Sequence, residues 1–158
     1  MKTLLALLMA FALQVGGSAP PFRLNDLAGK AFSSAQLKGS LTVLDVWATW
    51  CEPCIDEIPM FNRLHTKYSR NGIKVIGIAV QSGSAKDIDA HVGKLGVKYP
   101  ILVGTDRTVE EYVEVGFPVT YLIAPDGTIA KKYVGAWSDK EKGKEEDIEH
   151  EIDIFLHR

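Results

Sequence analysis

Apolar residues in this chain fall into short dense runs that alternate with longer stretches of helical spacing. Leu41 to Ala48 (L-T-V-L-D-V-W-A) is almost continuously apolar and rich in β-branched and aromatic side chains, which predicts a central strand covered on both faces. Beyond Cys51, the positions Ile55, Ile58, Phe61, Leu64 and Tyr68 recur every three or four residues, so an amphipathic helix is expected to end near Asn71-Gly72. Ile73 to Val80 reads as a second buried strand. Ser84 to Leu95 reads as a helix capped by Ser84, with Asp87 three positions on. Tyr99 to Val103 predicts a strand, and Asp106 is expected to cap a short helix running to Val115. Val119 to Ala124, a Pro125-Asp126-Gly127 turn and Thr128 to Val134 make a hairpin.

Two segments flank this body. Phe22-Arg23-Leu24 followed by A-G-K predicts a short strand and a turn, a small N-terminal β extension. From Ser138 the chain is charged, with an apolar helical stripe at Ile148, Ile152 and Phe155, the pattern of a solvated cover helix. The order β–α–β–α–β–α–β–β–α predicts an α/β fold. Its early strands are parallel and its last hairpin antiparallel, so the sheet is mixed, with helices on both faces.

The first residues belong to another pattern. Lys2 precedes the almost wholly apolar Thr3 to Leu13, and the small residues V-G-G-S-A follow. A charged start, a short apolar core and a small-residue exit describe a secretory signal peptide over residues 1–19, cut after Gly17 or Ala19. The apolar run is shorter than the roughly 20 residues that span a bilayer, so a retained membrane anchor is the secondary reading. Residues 20–158 then form one domain, expected to be monomeric and periplasmic or otherwise extracytoplasmic. With 46% hydrophobic and 24% charged residues, the chain has a core to bury. A formal net charge of −2 carries no basic excess, so nucleic acid is not an expected partner.

The chemistry concentrates in Trp47-Ala48-Thr49-Trp50-Cys51-Glu52-Pro53-Cys54, where a buried strand gives way to a helix. Cys51 at the helix start faces unpaired N–H groups and the positive end of the dipole, both of which favour thiolate. Cys54 lies one turn on, placed to displace whatever Cys51 captures and close a disulfide. Pro53 is tolerated because first-turn N–H groups have no helical partner to lose. These are the only two cysteines, which is too few for a structural disulfide framework, and no histidine sits beside them to complete a zinc site. The redox-active pair is therefore the only prosthetic chemistry expected.

W-A-T-W-C-E-P-C, with Glu57 and Pro59 after it, Y-P-I-L-V at Tyr99 and G-F-P-V-T-Y-L-I at Gly116, resembles the TlpA/ResA-type branch of the thioredoxin superfamily. The resemblance runs from about Phe22 to Gly135. It implies a thioredoxin fold and an exported thiol–disulfide oxidoreductase, generally a reductant and often serving cytochrome c maturation. It also implies a cis proline facing the disulfide at Pro118, with Phe117 before it offering backbone groups to an extended substrate. Trp50, Glu52 and Pro53 complete the expected docking surface, and Trp47 is expected in the core.

Two carboxylates compete for the role of proton carrier to Cys54. Asp45 matches the buried aspartate of thioredoxins proper, and Glu57 matches the glutamate of the TlpA/ResA branch. A carboxyl in apolar surroundings has a raised pKa and can take the proton that Cys54 must lose. For Glu57 a plain helix-surface carboxylate is the competing reading. Glu52 beside Cys51 supplies a negative charge where a strong oxidant needs its thiolate stabilised, which tilts the pair slightly toward reduction. Protein thiols and disulfides are the expected partners, with a membrane electron donor to keep the pair reduced in an oxidising compartment. Alternatives are an envelope disulfide oxidase or isomerase, a thiol peroxidase of the same superfamily, and a non-catalytic binding module.

Overall fold

The computed structural model describes residues 14–135 and 143–158. The predicted apolar core of the export segment and Ser138, the expected start of the charged tail, lie outside the described residues. The elements are β1 (Arg23–Asp26), β2 (Ala31–Ser33), β3 (Thr42–Trp47), α1 (Glu52–Tyr68), β4 (Lys74–Ala79), α2 (Ala85–Leu95), β5 (Ile101–Val103), α3 (Asp106–Tyr112), β6 (Val119–Ile123), β7 (Ile129–Val134) and α4 (Gly143–Leu156). Seven strands form one mixed sheet in the order β2-β1-β5-β4-β3-β6-β7.

β3 lies deep in this sheet because both its edges are paired, to β4 in parallel and to β6 antiparallel, and all six of its residues are buried. Its alternating side chains feed two cores. Val43 and Trp47 pack with Phe61 and Leu64 of α1, Ile88 of α2 and Ile148 and Ile152 of α4. Leu44 and Val46 face the other way, with Tyr112 of α3 and Tyr121 of β6. Helices thus cover both faces, unequally.

Some local expectations needed correction. α3 is capped by Thr105, whose hydroxyl accepts from the Thr108 amide, while Asp106 is already its first helical residue. The helix stops at Tyr112, short of Val115, because Val113 turns extended and leads the chain back toward β6. β5 starts at Ile101, after Pro100, which has no N–H to offer a ladder. The N-terminal extension is a complete hairpin, with β1 antiparallel to β5 through Asn25–Val103 and Asp26–Leu102. The capping box of Ser84 and Asp87 on α2 is present as expected.

The end of the predicted export segment has a place in this architecture. Gly16 N–H donates to the Ile129 carbonyl at 2.8 Å, Ile129 N–H to Gly17 at 2.8 Å, and Ala19 N–H to Gly127 at 2.9 Å. Both expected cleavage positions fall within this paired stretch.

Gly77 sits opposite Asp45 in the β3–β4 ladder. A methyl there would lie 2.6 Å from Ile101 Cδ1, 3.0 Å from the Tyr99 ring and 3.1 Å from Trp47 Nε1. Gly77→Ala is expected to destabilise the fold by about 1–3 kcal/mol, the usual cost of overpacking. An unchanged urea midpoint would show that the packing there is loose.

Candidate active site

Three strand ends meet at the site, and the register explains why. Trp47 ends β3 beside Ala79, the end of parallel β4, so the turn after β4 lies next to the chain leaving β3. β6 runs the opposite way and begins at Val119 opposite Val46, which brings Pro118 to the same end. The turn after β4 holds the loop. Ser82 Oγ accepts from Thr49 N–H at 2.9 Å, and the Gln81 carbonyl accepts from the Trp50 indole N–H at 2.9 Å. Gln81 adopts a left-handed φ of 49°, uncommon for a residue with a side chain.

Cys51 is the N-cap of α1, with extended backbone, and its carbonyl accepts from the amides of Cys54 and Ile55. The Cys51 side chain makes no capping hydrogen bond, and Pro53 lies in the first turn of the helix. Cys51 and Cys54 are joined in a disulfide, with Cα atoms 5.3 Å apart. Cys54 is only 1% exposed and Cys51 6%, so the first cysteine is the outer one. Glu52 and Pro53 are exposed beside it.

The Phe117–Pro118 peptide is cis, as the resemblance implied. Pro118 is buried and Phe117 half-buried. Trp50 is 61% exposed, and its ring meets Phe117 edge to face at 5.8 Å. An apolar ledge of two aromatics therefore stands at the mouth of the site. Trp47 is fully buried.

Asp45 is 1% exposed on β3 and accepts a long hydrogen bond from Thr120 Oγ1 at 3.4 Å. Burial pushes its carboxyl up to about 8; Lys144 pulls it down, Glu57 adds to the rise, and the Thr120 hydroxyl lowers it slightly. Glu57 is not a surface carboxylate: it is 6% exposed and bound by both oxygens, at 2.8 and 2.9 Å, to the ammonium of Lys144. Lys144 is itself only 2% exposed, with its Nζ 5.7 Å from the Phe61 ring centre and 5.9 Å from that of Tyr133. His65 on α1 is half-buried.

Lys144 is the participant that sequence reasoning missed, submerged in what looked like a charged tail. A signal was present. Lys144, Ile148 and Ile152 lie four residues apart on one stripe, and all three are buried. A lysine is also out of place in the first turn of a helix, where the dipole favours anions.

Comparison with known proteins fits this geometry. The AhpC/TSA family model matches residues 15–132. The thiol-disulfide oxidoreductase ResA of Bacillus subtilis is 34% identical over 131 residues, covering 81% of this chain and 72% of that protein. ResA of Bacillus anthracis is 32% identical over 124 residues, covering 78% and 71%. The chain belongs to the AhpC/TSA family and is a TlpA/ResA-type protein of the thioredoxin superfamily. Among solved structures, a protein described as a DsbE thiol:disulfide interchange protein from Chlorobium tepidum superposes on this TlpA/ResA-type chain with a TM-score of 0.80. It is 26% identical, over 91% of this chain and 99% of its own. A thioredoxin family thiol:disulfide interchange protein from Chlorobium tepidum TLS gives 0.72, at 27% identity, over 88% and 95%. The TlpA/ResA-type chain is a thiol–disulfide oxidoreductase of thioredoxin fold, with its cysteine pair where the sequence put it.

The buried Asp45 gives this domain a pH-dependent stability. A carboxyl that holds its proton up to about 8 when folded, against 3.8 ordinarily, stabilises the native state at low pH and loses that contribution as pH rises through the interval. In the oxidised protein, where neither cysteine titrates, Asp45→Asn is expected to gain on the unsubstituted chain by about 1.4 kcal/mol for each pH unit across that window. Urea unfolding at several pH values checks this, and a gap that does not change with pH would mean that Asp45 is ionised when buried.

Proposed function

We propose that this oxidoreductase is a disulfide reductase working outside the cytoplasm, with Cys51 as the attacking thiolate and Cys54 as the resolving thiol. The observation that carries the reading is Cys51 as N-cap of α1, with no capping hydrogen bond made by its side chain. Its sulfur is offered the free N–H groups and positive dipole that favour the anion. The thiolate attacks a substrate disulfide, and one substrate sulfur leaves and takes up a proton. Cys54 then gives its proton to a buried carboxylate, Asp45 or Glu57, and attacks Cys51 Sγ. The Cys51–Cys54 bond forms, the second substrate sulfur departs, and two electrons have passed from the pair to the substrate.

Several features support protein disulfides as substrates. The Trp50–Phe117 ledge gives an apolar docking face, with Glu52 and Pro53 at its rim. An extended segment can pair with the backbone of Phe117, while Pro118 has no N–H and leaves the approach to the sulfurs open. The reductive direction is supported by Glu52, which puts a carboxylate where a strong oxidant needs a stabilised thiolate, and by the TlpA/ResA resemblance. Export is supported by the pattern of residues 1–19, and among the described residues no helix is long and apolar enough to cross a membrane. An oxidising compartment would require a membrane electron donor. Service in cytochrome c maturation is the role the resemblance implies.

Cys51→Ala is expected to abolish reduction of insulin disulfides, and Cys54→Ala to accumulate a mixed disulfide that a reducing agent releases. Normal turnover by either variant refutes these roles, and turnover of hydrogen peroxide would favour the peroxidase reading. Equilibration with glutathione is expected to give a potential nearer thioredoxin's, about −270 mV, than DsbA's, about −120 mV. A value at the oxidising end would reverse the direction proposed.

A further inference from the structure

The proposed proton transfer needs one acceptor for the Cys54 proton, yet two carboxylates are buried on the elements that flank the disulfide, Asp45 on β3 and Glu57 one turn after Cys54 on α1. We propose that Lys144 is a positioning residue that decides between them. By clamping Glu57 as a carboxylate, it leaves Asp45 as the group that takes the proton. The inference rests on the thiol–disulfide chemistry proposed above and adds the division of labour between the two acids.

The geometry supports it. Both Glu57 oxygens are engaged by one ammonium, and both residues are shut off from water. A buried carboxylate under a bidentate charge-assisted contact has no reason to pick up a proton, because protonation would leave Lys144 as an uncompensated buried cation. Asp45 is held differently, by the long hydrogen bond from a neutral hydroxyl, Thr120, and Lys144 acts on it through its charge. Counting charges across the three groups gives the same result. Lys144 as a cation, Glu57 as an anion and Asp45 protonated sum to zero, the state a low-dielectric interior favours. Asp45 can give up and recover its proton against this background, which is the property a relay needs.

The other groups around the pair do not displace this assignment. Cys54 on α1 is the proton donor. Tyr99, ahead of β5, is a phenol pushed far above its ordinary pKa by burial and by Asp45 and Glu57, so it stays neutral. Tyr133 on β7 donates to Asp147 of α4 at 2.7 Å, and Lys131 holds the same carboxylate in a half-exposed pair. Lys144 also explains why the charged last helix belongs to the chemistry, since it reaches from α4 under the start of α1.

Resolution runs through the fraction of molecules in which Asp45 has already released its proton to solvent: the proton leaves Cys54 Sγ for the ionised Asp45 oxygen as Cys54 Sγ bonds to Cys51 Sγ and the Cys51–substrate bond breaks. The proton then passes to solvent or to the departing substrate thiolate.

The test measures the rate at which Cys54 resolves a preformed mixed disulfide between Cys51 and thionitrobenzoate, as a function of pH. The two charges act on Asp45 in opposite directions. Lys144→Met is expected to move the midpoint of the profile upward by about one pH unit, about tenfold slower at neutral pH. Glu57→Gln should move it downward, and Lys144→Arg should restore it. Midpoints that stay in place, or that move the same way in both variants, overturn the proposal. If Lys144→Met does not fold, the Glu57→Gln/Lys144→Met pair removes both charges together and is expected to shift the midpoint upward. In the unsubstituted protein, carboxyl-carbon NMR should find Glu57 ionised throughout the interval in which Asp45 titrates, and Glu57 titrating there instead would overturn the assignment. Failure of the underlying reading looks different, as a chain in which Cys54 does not resolve the mixed disulfide at any pH.

Discussion

The site depends on β3 being locked on both edges. A strand whose N–H and C=O groups are all committed to neighbours cannot shift register without exposing its buried face, so the point where it ends is fixed. From that point hang the Trp50 turn, the Cys51 N-cap and the start of α1. The same ladders bring the end of β4 and the start of β6 to it. Gln81, Ser82 and Pro118 therefore surround the cysteines although they lie about 30 and 65 residues away in sequence. The disulfide is positioned by backbone hydrogen bonding first and by side chains second.

The core that holds the cysteines carries a costlier arrangement. Three ionisable groups, Asp45, Glu57 and Lys144, are withdrawn from water in a core otherwise filled by Trp47, Phe61 and Tyr133. A buried ion pair is rarely worth more than hydrophobic residues of the same shape, and removing one partner costs about 3–5 kcal/mol. Its presence is therefore better explained by what it does than by stability. It ties α4 to α1 at one defined point. The surface pairs Arg63–Glu145 and Lys67–Glu149 run along the same interface, but being solvated they add little.

The family match spans most of the chain, yet fold and function are separate matters. A thioredoxin-like sheet can host a peroxidase or a disulfide exchanger, and the sheet does not decide between them. What separates them here is local: a second cysteine one helical turn from the first, already bonded to it, and an aromatic ledge beside a cis proline. These belong to the exchange of one disulfide for another, as in the ResA proteins to which the chain is similar.

Much of this was legible from the order of residues alone. The runs at Leu41 and Ile73, the helical spacing after Cys51 and the cap at Ser84 are local signals, because strand and helix periodicity and capping involve residues within a few positions of one another. The cysteine pair was legible for the same reason, since its chemistry needs only a strand, a turn and a helix start in succession. The end of α3 was misjudged because tertiary demands, a turn back toward the cis proline, overrode a pattern that could have continued. Lys144 and the burial of Glu57 were decided only when α4 folded against α1. A charge on a stripe says nothing about what it faces until a partner some 87 residues away is brought within 2.9 Å. Local periodicity determined which elements form and where the sulfurs stand; long-range packing decided which charges surround them, because the energy of a buried ion depends on neighbours that only the folded chain supplies.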